Sequence, residues 1–261
     1  MRIMPRKPYV RAEDITVAYG SEIVFSREDF LIEGPGLVLV IGPNGAGKTT
    51  LFKTILGLIR PIKGTVVING LEVTGNPKLA GRLVGYVPQM LGLDSSFPIS
   101  VREIVESAVI LRQRVPRLAT SPSTRRLVDK ILHELGLEPI ANKPFTKLSG
   151  GQRQKTLIAR ALVWNPEILV MDEPLSAVDV KGKYEIAKII SSLSLERLVL
   201  VSSHDPTFFL PHASMIMVVN KGIVAMGPPE DVMRLDILRK VYGKSIMLIE
   251  KCVHVVDSHV Y

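Results

Sequence analysis

The chain has 261 residues, 46% hydrophobic and 22% charged, which is room for one large domain or a core with an attached lobe. No apolar run approaches the ~18 residues needed to cross a bilayer, and the N-terminal Met-Arg-Ile-Met-Pro-Arg-Lys-Pro lacks the apolar stretch of a secretion signal, so a membrane role is expected only through a partner subunit. A single cysteine, Cys252, excludes an intrachain disulfide and fits a reducing cytosol, while the net charge of +8 is dispersed apart from Arg112, Arg114, Arg117, Arg125 and Arg126, where no aromatic residue intervenes to stack on nucleic acid.

In chain order, strands are predicted at Val10–Val17, Ile23–Ile32, Leu37–Ile41 and Thr65–Ile68, with turns at Gly34-Pro35-Gly36 and Asn69-Gly70. A short β-like run, Val84–Pro88, ends at Gln89. Ser100-Val101-Arg102-Glu103 fits a capping box that starts a helix. A second helix follows Ser121-Pro122, with Leu127, Val128, Ile131, Leu132 and Leu135 along one face and Gly136 to end it. Arg112, Arg114, Arg117, Arg125 and Arg126 are read as a solvated helical face, with a dedicated anionic partner as the alternative. Continuous apolar strands return at Ile168–Met171 and Leu198–Val201, separated by a helix through Tyr184–Leu193, as buried parallel strands with a crossover helix do. No internal repeat is present. The layout is an α/β core with a helical lobe inserted at about 91–147.

The chemistry begins at Gly42-Pro43-Asn44-Gly45-Ala46-Gly47-Lys48-Thr49, a complete P-loop pattern between an apolar strand and a helix predicted through Leu51, Ile55 and Leu58. Glycines let backbone N–H groups turn toward phosphate oxygens, and the helix N-terminus adds partial positive charge. Lys48 is suited to β- and γ-phosphates and the Thr49 hydroxyl to Mg²⁺. With Gly at ~7% of residues, the four fixed positions coincide by chance in a chain of this length on the order of 1% of the time. The apolar strand Ile168-Leu169-Val170-Met171 then ends in Asp172-Glu173, two carboxylates that cannot both be buried unpaired. Asp172 is suited to hold the magnesium, and Glu173 to act as general base on an attacking water. Ser149 and Gln152 form another capping box, opening a helix through Leu157, Ile158, Ala161 and Leu162. Two consecutive glycines inside that box, Gly150 and Gly151, suit the close approach of a bulky anion.

Leu148-Ser149-Gly150-Gly151-Gln152 is the signature motif of the ATP-binding cassette family, which the chain resembles over essentially its whole length. Gln89 matches the Q-loop glutamine, Ser176-Ala177-Val178-Asp179 the D-loop (with valine for the commoner leucine) and His204 the switch histidine. Tyr19 takes the place of the aromatic residue that stacks on adenine. The resemblance implies a P-loop NTPase (RecA-like) α/β core with an antiparallel β subdomain, an inserted α-helical subdomain at 91–147 and a C-terminal extension at 221–261. It implies ATP and Mg²⁺ as ligands, with Lys48, Gln89, Glu173 and His204 in catalysis and Thr49, Gln89 and Asp172 on the metal. Tyr19, Gly42, Pro43, Asn44, Gly45, Ala46, Gly47, Lys48, Thr49 and Thr50 would hold the nucleotide from one subunit. Ser149, Gly150, Gly151, Gln152 and Asp179 would hold it from a second, in a homodimer with two ATP molecules at the interface.

The separation of about 100 residues between Lys48 and the signature, with no heptad insert, resembles transporter cassettes rather than coiled-coil DNA-repair ATPases. Tyr86-Val87-Pro88-Gln89 followed by Phe97-Pro98-Ile99-Ser100-Val101-Arg102-Glu103 resembles the zinc/manganese/iron importer group, next to the iron-chelate and cobalamin importers. That implies transmembrane permease subunits as partners, contacted through residues 91–118, a substrate-binding protein engaged indirectly, no nucleic acid, and a place on the cytoplasmic face of the membrane. An exporter cassette or a soluble iron–sulfur assembly ATPase is the alternative. Near the C-terminus, a single strand over Ile246–Val256 would put Cys252 and His254 on one face and Asp257 and His259 on the other, the pattern of an ordinary tail rather than a closed metal site.

Overall fold

The apolar runs around Leu39, Val170 and Leu200 lie next to one another at the middle of one sheet. The computed structural model describes residues 7–20, 22–89, 98–110, 121–243, 246–249 and 252–255, with the backbone alone at residue 19 and over the last two segments. The chain runs through β1 (Tyr9–Tyr19), β2 (Glu22–Glu33), β3 (Gly36–Ile41), α1 (Lys48–Ile55), β4 (Lys63–Ile68), β5 (Leu71–Glu72), α2 (Pro77–Leu83) and β6 (Val84–Val87). Then come α3 (Val101–Ile110), α4 (Pro122–Glu134), α5 (Gly150–Leu162), β7 (Ile168–Asp172), α6 (Val180–Leu193) and β8 (Leu198–Ser203). The last elements are β9 (Met215–Val219), β10 (Ile223–Gly227), α7 (Pro229–Val232), α8 (Leu235–Tyr242), β11 (Ile246–Ile249) and β12 (Cys252–Val255).

The main sheet has the order β10-β9-β3-β8-β7-β6, parallel throughout except for the β9–β10 pair. Both of its faces are covered, which is why these strands carry unbroken apolar runs. Leu37, Leu39, Ile41, Leu169, Met171, Val199 and Val201 face a core shared with α3, α4, α5 and α6. The alternate residues Val38, Val40, Ile168, Val170, Leu198 and Leu200 face a second core with Leu51, Phe52 and Ile55 of α1. That second core also holds the apolar side of the antiparallel sheet β2-β1-β4-β5. Each fully buried Leu, Ile or Val contributes about 1.5–3 kcal/mol, so the two cores fix the ends of β3, β6, β7 and β8 against each other.

Three details depart from the sequence expectations. The helix after the P-loop stops at Ile55 instead of reaching Leu58, which is 55% exposed. Gly57 takes a φ of +65°, its N–H bonds to Thr54 O at 3.0 Å, and the Leu58 N–H bonds to Lys53 O at 2.8 Å. This is a Schellman ending, and apolar spacing alone does not reveal it. On α4, Val128, Ile131, Leu132 and Leu135 are buried as expected, but Leu127 is 41% exposed and Thr124 takes the inward place. The tail forms two antiparallel strands, β11 and β12, in place of one.

The capping box at the start of α3 is present. Ser100 N and Oγ donate to Glu103 Oε2 at 2.8 and 2.6 Å, and Glu103 N donates back to Ser100 Oγ at 3.2 Å. Backbone bonds from Val101 N to Lys143 O and from Phe145 N to Ile99 O tie this helix start to the segment leading into α5. Arg125 and Arg126 are exposed on α4. Phe97, Arg112, Arg114, Arg117, Asp257 and His259 lie outside the described residues.

Candidate functional site

Residues 42–47 link the end of β3 to the start of α1, and they curl into a loop because neither end has room for a side chain. A Cβ at Gly42 would run into the Val219 carbonyl, and Gly47, with a φ of +103°, packs where a Cβ would sit 2.6 Å from Val24 Cγ1. Lys48 begins the helix with its side chain buried. Its Nζ donates to Gly42 O at 2.6 Å and Pro43 O at 3.3 Å, and so braces the loop. Residues 43–50 line a cavity of about 350 Å³ together with Gln89, Glu173, Glu22 and Val24. Backbone N–H groups of the loop and the first turn of α1 make this a place for an anion.

The acidic pair comes from the adjoining strand end. Asp172 closes β7 and is 1% exposed, and its Oδ1 accepts the Ser202 hydroxyl at 2.6 Å. Glu173 follows with a φ of +47°, and its Oε1 lies 3.6 Å from Lys48 Nζ. Its Oε2 accepts His204 Nδ1 at 2.8 Å and the His204 N–H at 3.2 Å. A carboxylate cannot donate, so Nδ1 carries the proton in this bond. Tyr86, on β6, has its phenol pushed up to about 12 by burial first and by the negative charge of Asp172 second.

The signature residues assemble elsewhere. Ser149 caps α5: its Oγ accepts Gln152 N at 3.3 Å, and its own N–H donates to Gln152 Oε1 at 3.2 Å. Ser149, Gly151, Gln152 and Asp179 line a second cavity of about 400 Å³, crossed by the Lys155–Glu185 ion pair. Asp179 precedes α6 without capping it through its side chain. Gly150 turns the other way, where a Cβ would collide with the Ala177 carbonyl. Within one chain, then, the predicted nucleotide residues fall into two groups at two cavities. Tyr19 ends β1, and its side chain lies outside the described atoms.

Some residues at the site were not anticipated. Ser202 joins Asp172 to Glu173, and the one hint in the sequence is a polar pair closing an apolar strand just before His204. Glu22 and Val24 of β2 reach the P-loop cavity. Lys221 holds Glu22 Oε1 at 2.6 Å and donates its backbone N–H to Ala46 O at 2.9 Å. Local sequence carries no signal for that three-way contact.

A family model described as ABC transporter matches residues 29–176. Zinc import ATP-binding protein ZnuC of Hydrogenovibrio crunogenus is 30% identical over 243 residues, covering 92% of this chain and 90% of its own length. The protein of the same name from Pseudomonas savastanoi pv. phaseolicola is 34% identical over 238 residues, covering 90% and 82%. A solved transporter described as of metal-chelate type, in an inward-facing conformation, superposes with a TM-score of 0.79 at 24% identity over 95% of both chains. An ATP-binding cassette solved as a dimer in a post-hydrolysis state with ADP and Pi gives 0.73 at 28% identity, over 84% of this chain and 98% of that one.

Proposed function

This chain belongs to the ABC transporter family, of which it is an ATP-hydrolysing subunit, and we propose that it works as a head-to-tail homodimer that energises the import of a metal ion. The observation that carries the catalytic reading is the Glu173 carboxylate held between Lys48 and His204 at the P-loop cavity. The triphosphate enters by its negative end, toward the loop N–H groups, the α1 N-terminus and the ammonium of Lys48. Glu173 accepts a proton from the water that attacks the γ-phosphorus, as the bond to the leaving ADP oxygen breaks. His204 holds Glu173 through Nδ1 and turns Nε2 to the water, or to a γ-phosphate oxygen when the ring is cationic.

Thr49, Gln89 and Asp172 offer a hydroxyl, an amide oxygen and a carboxylate, an all-oxygen set that fits Mg²⁺. Thr49 and Gln89 line the same cavity, and Asp172 is held at its β7 end by Ser202. When bound, the ion neutralises charge on the β- and γ-phosphate oxygens.

The separation of the P-loop and signature groups into two cavities supports a site completed by a second chain. Ser149, Gly150, Gly151 and Gln152 of one subunit then close over nucleotide held by Gly42–Thr50 of the other, with Tyr19 stacked on adenine and Asp179 at the junction. Nucleotide contacts made only in the closed pair shift the population toward it, and hydrolysis releases it. Among the described residues no helix is long and apolar enough to cross a membrane. We assign the membrane path to permease subunits met through residues 91–118, with a substrate-binding protein acting through them on the far side and this chain on the cytoplasmic face. Zinc import in the relatives' names supports a metal ion as cargo.

Glu173→Gln is expected to bind ATP as the parent does, to lose at least about 100-fold in hydrolysis, and to accumulate an ATP-bound dimer on gel filtration. Hydrolysis at the parent rate refutes the general-base assignment. For the cargo, the chain copurified with its permease into vesicles should drive ATP-dependent uptake of radioactive zinc. Vesicles that hydrolyse ATP and take up only non-metal solutes would overturn that part.

A further inference from the structure

β8 reads Leu198-Val199-Leu200-Val201 and then turns to Ser202-Ser203, although all six positions are buried. A hydroxyl at a buried strand position loses its water partners, so its bonds must be found inside the protein. Ser202, with no exposed surface, finds two. In the parallel ladder it stands level with Asp172 on β7 and Val40 on β3. Its Oγ donates to Asp172 Oδ1 at 2.6 Å and accepts the Glu173 N–H at 2.9 Å. The amide can only donate, so the hydroxyl proton is left for the carboxylate, and the direction of both bonds is settled. The bond to the carboxylate is charge-assisted.

The second bond matters because of the backbone at Glu173. Its φ of +47° lies in the left-handed region, which a residue with a side chain seldom adopts and which persists only where the surroundings over-determine it. Here they do. Ser202 holds the N–H, while the Glu173 carbonyl receives the Ser176 N–H at 3.2 Å and the Ser176 hydroxyl at 3.0 Å. With its peptide groups gripped from both sides, Glu173 projects its carboxylate to Lys48 Nζ at 3.6 Å and His204 Nδ1 at 2.8 Å.

We infer that Ser202 is a positioning residue for ATP hydrolysis: one hydroxyl sets both the carboxylate of Asp172 and the backbone angle from which Glu173 reaches the cavity. It touches no substrate and acts only through these two neighbours. The inference rests on the reading of Glu173 as general base given above.

The test uses the full-length chain and compares Ser202→Thr with Ser202→Val, side chains of nearly equal volume that differ by the hydroxyl, with Ser202→Ala to remove the hydroxyl without adding a methyl. Loss of a supporting hydrogen bond of this kind costs about 10- to 100-fold. Val and Ala variants should therefore lose that much in kcat, while KM and the equilibrium binding of Mg-ATP stay within about threefold of the parent. Ser202→Thr should keep kcat within the same range. Rates are taken well below the melting temperature of each variant, so a packing defect registers in Tm and not in kcat. Parent-like hydrolysis by Ser202→Ala or Ser202→Val, or equal losses in Thr and Val, overturns the assignment. If Glu173→Gln is inactive while Ser202→Ala is fully active, the Ser202 inference alone fails. Parent-like activity in Glu173→Gln removes the general-base reading instead.

Discussion

Gly150 and Gly151 stand side by side yet meet different surroundings. A Cβ at Gly150 would strike the Ala177 carbonyl of the same chain, whereas one at Gly151 would meet only Val178 Cγ1 at 3.8 Å. Gly150 answers to the backbone before α6, and Gly151 stays open toward the second cavity. Gly150→Ala should destabilise the fold by about 1–3 kcal/mol, the usual cost of overpacking. Gly151→Ala should change stability by less than about 1 kcal/mol. Thermal unfolding of the two variants checks the contrast, and equal shifts would contradict it. Local geometry was legible where a motif carries its own, as at the Ser149–Gln152 capping box and the loop that leads into α1 at Lys48. Ser202 and Lys221 were not, because their partners lie on other strands and loops, and no local spacing encodes a hydrogen bond 30 or 199 residues away.

At the scale of elements, strands buried on both faces announce themselves as apolar runs, and β3, β7 and β8 fall where their runs place them. Ends are harder to read. The spacing of Leu51, Ile55 and Leu58 continues a helical face past Ile55, but Gly57 turns left-handed and stops it. At α3 the ending signal is chemical and was readable: Ser100 and Glu103 satisfy each other across the first turn. The hydrogen bonds from Ser100, side chain first and backbone second, hold the Glu103 carboxyl below the usual glutamate range. A carboxyl with a depressed folded-state pKa stabilises the fold above its unfolded-state value, and that contribution is lost as pH falls through the folded-state value. Glu103→Gln, which keeps the capping geometry, should melt below the parent at about pH 7, and the gap should close by about pH 3. A gap constant across that range would show that the carboxylate charge has no part in the helix start.

For the whole molecule, the decisive arrangement is that P-loop and signature residues line different cavities of one chain. If each complete site draws on two chains, damage to opposite halves must complement. Lys48→Ala and Ser149→Arg should each be inactive alone. Mixed in equal amounts, they should recover up to about a quarter of the parent rate, since half of randomly formed pairs then hold one intact site of two. A mixture as inactive as its components would argue against a shared site. The sequence conveyed this arrangement through the family resemblance, not through any property of a single chain. The order of strands has a further consequence, for biosynthesis. β8, which carries Ser202 and leads to His204, lies between β3 and β7 although it is made after both. A nascent chain that has emerged only through Asp172 holds the P-loop and the first carboxylate on two strands with nothing between them. β3 then lacks both of its neighbours, β8 and β9, and β7 lacks one, so three apolar strand edges need shielding until residues 198–203 and 215–219 arrive. The residues that line the P-loop cavity are thus all made before the strands that complete the sheet beneath them.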